Sequence, residues 1–437
     1  MSDTQAQTVA YVRDTMVDAQ TPPITEVGVI KWLRENLFSS PLNAILTIAS
    51  LYLVYWVIAH VGPWMINGIW VADSLTECRE IRNATLGADV PAACFAVITE
   101  RWPQLMFGFY PSDAYWRPVV ALLVFFVGIA PVLFDKLPRS LLIGTLLTPF
   151  VMYLLLWGGS IWGPFAVGLG FVAGYFTFRF LNPINSLMGT IGAIIVPILF
   201  WFFLTGPIAS TLTATAPIGL PFIESKDFGG FTLSVVIGIA AIILSLPLGI
   251  LLALGRQSDL PIIKYSAVVF IEVIRGVPLI VWLFTASLLL NYFLPPGTNF
   301  DLMLRVIIMV TLFSAAYIAE VIRGGLAALP KGQYEAADAL GLDYWKSMQL
   351  IILPQALKIS IPGIVNTFIG LFKDTTLVVF IGLLDPVGLT NAIRASTDWN
   401  GIYWELFLFI GIMFFIFCYS MGRYSLYLEK KLQREHR

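Results

Sequence analysis

Long apolar runs, cut by short stretches of charge, glycine and proline, occupy most of this chain. A membrane-crossing helix needs about 20 apolar residues. On that template ten spans are predicted near 42–61, 118–134, 140–157, 162–180, 186–206, 229–254, 264–290, 302–326, 358–382 and 402–422, with a margin of one or two because the second is short and the fourth is rich in glycine. Between the eighth and ninth spans the pattern turns polar and helical. Pro330 and Lys331-Gly332 open this segment, Gln333 to Leu340 are good helix formers, and Gly341 is a natural C-terminal cap. A second helix is predicted from Asp343 as N-cap to Ile352, with Pro354 marking the approach of the next span. The expectation is two short helices bent at Gly341.

Composition sharpens this into an all-α integral membrane protein. Hydrophobic residues make up 58% of the 437 and charged ones 12%, with a mean hydropathy of +0.82; a soluble chain carries roughly twice that charge. The formal net charge of −1 says little, because orientation follows the Lys and Arg of the short loops. Lys31 and Arg34, Lys136 and Arg139, Arg179, Arg256 and Lys264, Lys331, Lys346 and Lys358, and the tail from Arg423 to Arg437 all fall on one side if ten spans alternate. That side is expected to be the cytoplasm. Opposite it, 291–301 has no Lys or Arg, 207–228 has only Lys226 and 383–401 only Arg394. The polar first forty residues lack the basic start and immediate apolar run of a cleaved signal peptide, so the first span is expected to stay. The long outer loop 62–117 holds Cys78 and Cys94, candidates for a disulfide closing a loop of about 16 residues, which the chain-entropy model values at roughly 3 kcal/mol; two unrelated thiols are the alternative. The Thr-, Pro- and Gly-rich stretch 207–228 reads as an outer linker, and no internal repeat is visible.

Candidate chemistry is sparse. His60 and His436 are isolated, which argues against haem, metal or histidine-relay function, and no basic domain points to nucleic acid. No G-x-x-x-x-G-K-[ST] occurs, so nothing cradles nucleotide phosphates. Polar groups inside spans are costly and each is a functional candidate. Glu320 with Arg323, and Glu272 with Arg275, stand i to i+3 and are expected to pair within their own helices. Asn366, Thr367, Lys373, Asp374, Thr375 and Thr376 fall in the middle and outer parts of the ninth span, with Ser314 and Tyr317 on the eighth, and Pro278 is expected to kink the seventh. In the polar segment, Ala336, Ala337 and Ala339 sit among the acids Glu335 and Asp338. Such a helix suits either a protein groove or the membrane surface.

The ordered residues of that segment carry a resemblance. Glu335-Ala336-Ala337, three residues, Gly341, nine residues, then Ile351 and Leu353-Pro354 resemble the signature of permease subunits of binding-protein-dependent ABC importers. VFIEVIRGVPLIVWLF (269–284), AAYIAEVIRGGLAALPKGQYEAADALG (315–341) and LFKDTTLVVFIGLLDPVGL (371–389) are similar to the polar amino-acid uptake branch, over roughly residues 229–430. The added N-terminal spans resemble the larger permease subunits of general L-amino-acid and glutamate/glutamine/aspartate/asparagine uptake systems. The resemblance implies a five-helix type I importer core at 229–430 with a coupling segment at 329–357, preceded by a cytoplasmic segment 1–41, a transmembrane extension 42–206 containing the periplasmic loop 62–117 and a periplasmic linker 207–228, and followed by a cytoplasmic tail 431–437. It implies docking of an ATPase on Glu335, Ala336, Ala337 and Gly341, with Tyr334 and Leu340 as apolar neighbours, and a substrate path among Ser314, Tyr317, Asn366 and Asp374. Expected partners are a cytoplasmic ABC ATPase, in two copies and holding the ATP and Mg, a second and different permease, a periplasmic amino-acid-binding protein, the amino acid itself and lipid, in a Gram-negative inner membrane. The readings that compete with it are a stand-alone ion-coupled secondary transporter and a membrane-embedded enzyme; the first wants inverted symmetry and the second a His, Asp or Cys constellation.

Overall fold

The computed structural model describes residues 28–134, 136–289, 292 and 301–434; the polar start at 1–27, nearly all of the 291–301 loop, and His436 with the end of the tail lie outside the described residues. Eight helices among these are long and apolar enough to cross a membrane, and two bent pairs reach that length together. Residues up to 69 together with 80–93 form one compact unit, and 70–79 together with 94 onward form the other.

The first unit contains α1 (Gly28–Asn36) and the 26-residue α2 (Pro41–Ile66). Ser40 caps α2 by accepting from the Asn43 N–H at 3.2 Å, and Pro41 supplies a fixed φ in the first turn.

The second unit opens in α3 (Leu75–Thr85), whose later residues belong to the first, and continues through α4 (Ala96–Phe107), α5 (Trp116–Leu133), α6 (Leu142–Trp157), α7 (Trp162–Leu181), α8 (Ser186–Phe203) and α9 (Thr205–Thr215). Here α5 packs on α6, and α7 on α8 and α9. A two-residue antiparallel ribbon, Gly159 opposite Leu220 and Ser160 opposite Gly219, ties α6 to the linker. The linker expected at 207–228 therefore begins as a helix, set at 50° to α8. Its threonines explain the difference: Thr211, Thr213 and Thr215 each donate to the carbonyl four residues back, which satisfies their hydroxyls inside the helix.

The core of this unit is built on α10 (Gly230–Gln257), α11 (Pro261–Gly276), α12 (Leu279–Phe284), α13 (Leu302–Ala327), α14 (Lys331–Ala339), α15 (Tyr344–Ser347), α16 (Leu353–Asp374), α17 (Pro386–Arg394) and α18 (Trp404–Arg434). Buried Gly238, Ala241, Ser245, Gly249 and Ala253 run along α10 and let neighbouring backbones come close. The first half of α10 packs with Phe107, Tyr110, Phe228, Leu283 and Met303; its last turn packs with Ile318, Ile322, Leu326, Met348 and Ile352. One end of the bundle thus carries the cap formed by 70–79 and 94–116, and the other carries the polar segment. Pro278 sits at a 102° break between α11 and the helical stretch Leu279–Leu289, a far sharper turn than the expected kink. Val277 stays extended because a proline follows it, and the α11 ladder ends there.

The extension is not an independent layer. Gly108 (φ +70°) lies so close to Gly229 that a Cβ there would run into the Gly229 backbone. Arg117, buried, donates to the Pro221 carbonyl of the linker at 2.8 Å, and Tyr424 of α18 donates to the Leu133 carbonyl of α5 at 2.8 Å. Leu122 packs against the Phe231, Val235 and Phe372 cluster. Within the second unit, the extension residues from 94 onward pack on the core.

Candidate functional site

The polar segment folds as the sequence dictates up to Gly341. The Gly341 N–H bonds the Asp338 carbonyl at 2.9 Å and the Leu342 N–H the Ala337 carbonyl at 3.2 Å, and Gly341 takes φ +68°, a left-handed cap that satisfies two orphan carbonyls. Asp343 then caps α15, accepting from the Lys346 N–H at 2.9 Å; this bond, and the Lys346 ammonium after it, hold the Asp343 carboxyl below its ordinary range. The second helix does not stop short of Pro354, as expected. It widens through one π turn, Met348–Ile352, and runs on as α16 with Pro354 in its first turn. A proline has no N–H to donate, and the wide turn absorbs the missing bond.

Burial sorts the six residues assigned to docking. Ala337 is fully buried and Tyr334 packs against the Ile318–Met348 cluster, where burial pushes its phenol up, so these two seat the helix on its own chain. Gln333 adds to the seat by accepting from Gln355 at 3.0 Å. Glu335, Ala336, Leu340 and Gly341 face outward, with Leu340 72% exposed. Beside them stand three side chains that the motif does not mark: Trp345 (66% exposed), Tyr344 and Leu350. Their signal is the apolar positions of 344–350, which the sequence reading places in the second short helix without assigning them to docking.

At the same end lies a five-residue charge cluster. Arg256 donates to Glu272 at 2.9 Å and to Glu320 at 3.1 Å, Arg323 donates to Glu320 at 2.7 Å, and Arg275 stands 3.7 Å from Glu320 and 5.3 Å above the Tyr317 ring. The expected Glu320–Arg323 pair is present. Glu272, by contrast, pairs with Arg256 on α10 and not with Arg275, because α10 and α11 pack side by side and bring Arg256 within reach.

The four residues expected along a substrate path differ in burial. Ser314 is buried within the bundle and its hydroxyl has no hydrogen-bond partner among the described residues; Tyr317 and Asp374 are half-buried; Asn366 is exposed on α16. At the cap end, Cys78 and Cys94 form a disulfide, both buried. Around it the cap grips the segment before and at the start of α18: the Leu75 N–H donates to the Asp398 carbonyl at 2.8 Å, the Cys94 N–H to buried Glu405 at 2.9 Å, and the indole of Trp399, fully buried, to Glu100 at 2.8 Å. Ahead of that segment Asp385 caps α17, accepting from the N–H groups of Val387 and Gly388 at 3.1 and 2.9 Å. Burial nonetheless pushes its carboxyl up to about 6, against the pull of those two amides.

Known proteins match this arrangement along its whole length. Residues 245–434 match the family of binding-protein-dependent transport system inner membrane components. The glutamate/glutamine/aspartate/asparagine transport system permease protein BztC of Rhodobacter capsulatus is 57% identical over the whole of both chains. The inner membrane amino-acid ABC transporter permease protein YhdY of Escherichia coli is 39% identical over 92% of each, and the probable glutamine ABC transporter permease protein GlnP of Bacillus subtilis is 32% identical, covering 46% of this chain and 90% of its own. No match favours a secondary transporter. With its apolar spans and its match from end to end, the chain belongs to the permease subunits of amino-acid ABC transporters, the membrane components of binding-protein-dependent import.

Proposed function

We propose that this chain is one of two different permeases in an importer for glutamate, glutamine, aspartate and asparagine, and that residues 331–350 are its contact with a separate ATPase on the cytoplasmic side. The observation that supports docking is the exposed set Leu340, Tyr344, Trp345 and Leu350 beside Glu335 and Asp338. Exposed apolar side chains beside acids fit a basic-edged protein groove. The same acids disfavour a helix lying on anionic lipid. The substrate range follows the 57% identity to the Rhodobacter permease. On this reading 1–41 and 431–437 are cytoplasmic, 42–206 is the extension with periplasmic loop 62–117, 207–228 is the periplasmic linker, and 229–430 is the permease core with coupling segment 329–357. ATP and Mg are held by two copies of the ATPase, and a periplasmic binding protein of a Gram-negative inner membrane delivers the amino acid.

Asn366 is a polar side chain exposed on a helix at membrane depth, which fits a wet path or the second permease, and Asp374, Tyr317 and Ser314 extend that path toward the bundle interior. Purification of the tagged chain in mild detergent tests the docking reading. An ATPase and a second permease are expected to co-purify with the native chain, and the ATPase is expected to be lost from Trp345→Glu and Glu335→Lys. Retention of the ATPase by both variants, at native expression, overturns it.

A further inference from the structure

The short helix α1 of the first unit has no buried residue. Its apolar side chains Val29, Ile30, Trp32 and Leu33 are all exposed, Val29 to 73%. At about 100° per residue these four form one contiguous face, and Lys31, Arg34 and Glu35 form the other. Asn36 falls on the apolar side, where its amide donates back to the Trp32 carbonyl at 2.9 Å. The connection to α2 fixes where this helix lies. Ser40 is extended (φ −145°, ψ 162°), so the two helices are not continuous, and Thr47 in the second turn of α2 donates to the Leu37 carbonyl at 2.8 Å. The 26 residues of α2 reach about 39 Å, against a hydrocarbon layer of about 30 Å. Hydrocarbon therefore begins about a turn into α2, near the level at which Thr47 holds the end of α1.

We propose that α1 lies along the inner surface of the membrane, with Val29, Ile30, Trp32 and Leu33 seated at the acyl-chain boundary and Lys31 and Arg34 at the phospholipid phosphates. The inference rests on the reading of 1–41 as cytoplasmic and gives that segment a partner, the lipid surface. Continuity with the first span selects this occupant, because the chain delivers an amphipathic helix to the depth at which such helices bind. Trp32 stands at the edge between the apolar and charged faces, where an indole meets the headgroups. Lys31 lies 3.7 Å from Glu35, and the charged face still holds two cations to one carboxylate. The coupling segment shows the opposite sign, with Glu335 and Asp338 on its outer side. A consequence for α2 follows. None of its residues is buried, so packing within this chain does little to set its tilt, and an interfacial anchor at its end does so instead.

The test uses the full chain with its co-purifying partners in phospholipid nanodiscs, with Cys418→Ser removing the free thiol. Val29→Cys, Leu33→Cys, Lys31→Cys and Glu35→Cys, one at a time, carry a thiol-linked fluorophore. A nitroxide on the lipid, placed just below the headgroup, is expected to quench positions 29 and 33 roughly threefold or more above 31 and 35. Iodide in the water is expected to give the reverse order. Equal quenching of all four by iodide overturns the proposal and leaves the helix in water. Shielding of 29 and 33 from both quenchers also overturns it, and makes the apolar face a contact with a partner subunit. A membrane-impermeant maleimide tests the side separately: in right-side-out vesicles it is expected to leave Lys31→Cys unmodified. Modification there defeats the cytoplasmic reading, and the inner-surface assignment with it, whatever the quenching pattern.

Discussion

At the scale of single residues, two positions carry more than their surroundings suggest. Gly341 combines φ +68° with open space around the place a Cβ would take, so its substitution is a matter of backbone strain alone. Gly341→Ala is expected to cost about 1 kcal/mol locally and to swing α14 off its seat. Uptake should fall severalfold while a melting curve of the purified chain hardly moves. Asp385 carries a pH signature. Its carboxyl titrates at about 6 in the fold against an ordinary 3.8, so the protonated form is favoured on folding, and the stability from this group is fully present below about 3.8 and is lost as pH rises through about 6. Asparagine caps a helix as well as aspartate does. Asp385→Asn is therefore expected to flatten the pH dependence of thermal unfolding between pH 4 and 6.5, an effect on the order of 2 to 3 kcal/mol at neutral pH. A pH profile identical to the unmutated chain's would contradict this. The caps at Gly341 and Asp343 were readable from residue type and spacing, because a cap is a local bargain between a side chain and its own next turn. Asp385 was not singled out, since the burial that shifts it comes from elements distant in sequence.

At the scale of elements, pattern length decides what sequence reveals. The long apolar spans were legible, and most agree with the helices to within about five residues, but the ninth helix begins well before 358 and the last runs about ten residues past 422. Breaks were less so: the Thr-rich start of the linker hid a helix, and the polar segment's second helix ran on through a wide turn. Pairings across helices were illegible for a plain reason. Glu272 has Arg275 one turn away and Arg256 sixteen residues away, and only the packing of α10 on α11 makes the second the partner. The disulfide of the cap belongs to this scale too. Cys78→Ser is expected to lower stability by about 3 kcal/mol, the value of closing a loop of roughly 15 residues. Thermal unfolding with and without a reductant checks it: reductant should lower the midpoint of the native chain to that of the variant and leave the variant where it was.

At the scale of the whole molecule, the permease core depends on contacts from the extension. Trp399 and Glu405 are buried, and their partners, Glu100 and the Cys94 amide, lie before residue 207. Residues 229–437 expressed alone leave a buried carboxylate and an indole N–H unsatisfied, each at a cost of about 1 to 3 kcal/mol. That fragment is expected to elute broadly in detergent and to unfold at lower temperature than the full chain; a sharp peak with an unchanged midpoint would show the extension to be dispensable for the core. None of this coupling was visible in sequence, where the match of motifs stops near 229 and the extension reads as separate.

The grip of the cap on Glu405 also has a history in the making of the chain. The Cys94 amide and its acceptor are 311 residues apart. At the usual pace of synthesis, 5 to 20 residues per second, the acceptor emerges roughly 15 to 60 s after the donor. During that interval the cap has Cys78 to hold it and nothing yet to rest on. A thiol pair that closes early keeps the waiting cap in the shape its late partner will recognise, so the rate of that closure would govern the yield of folded permease and not only its durability.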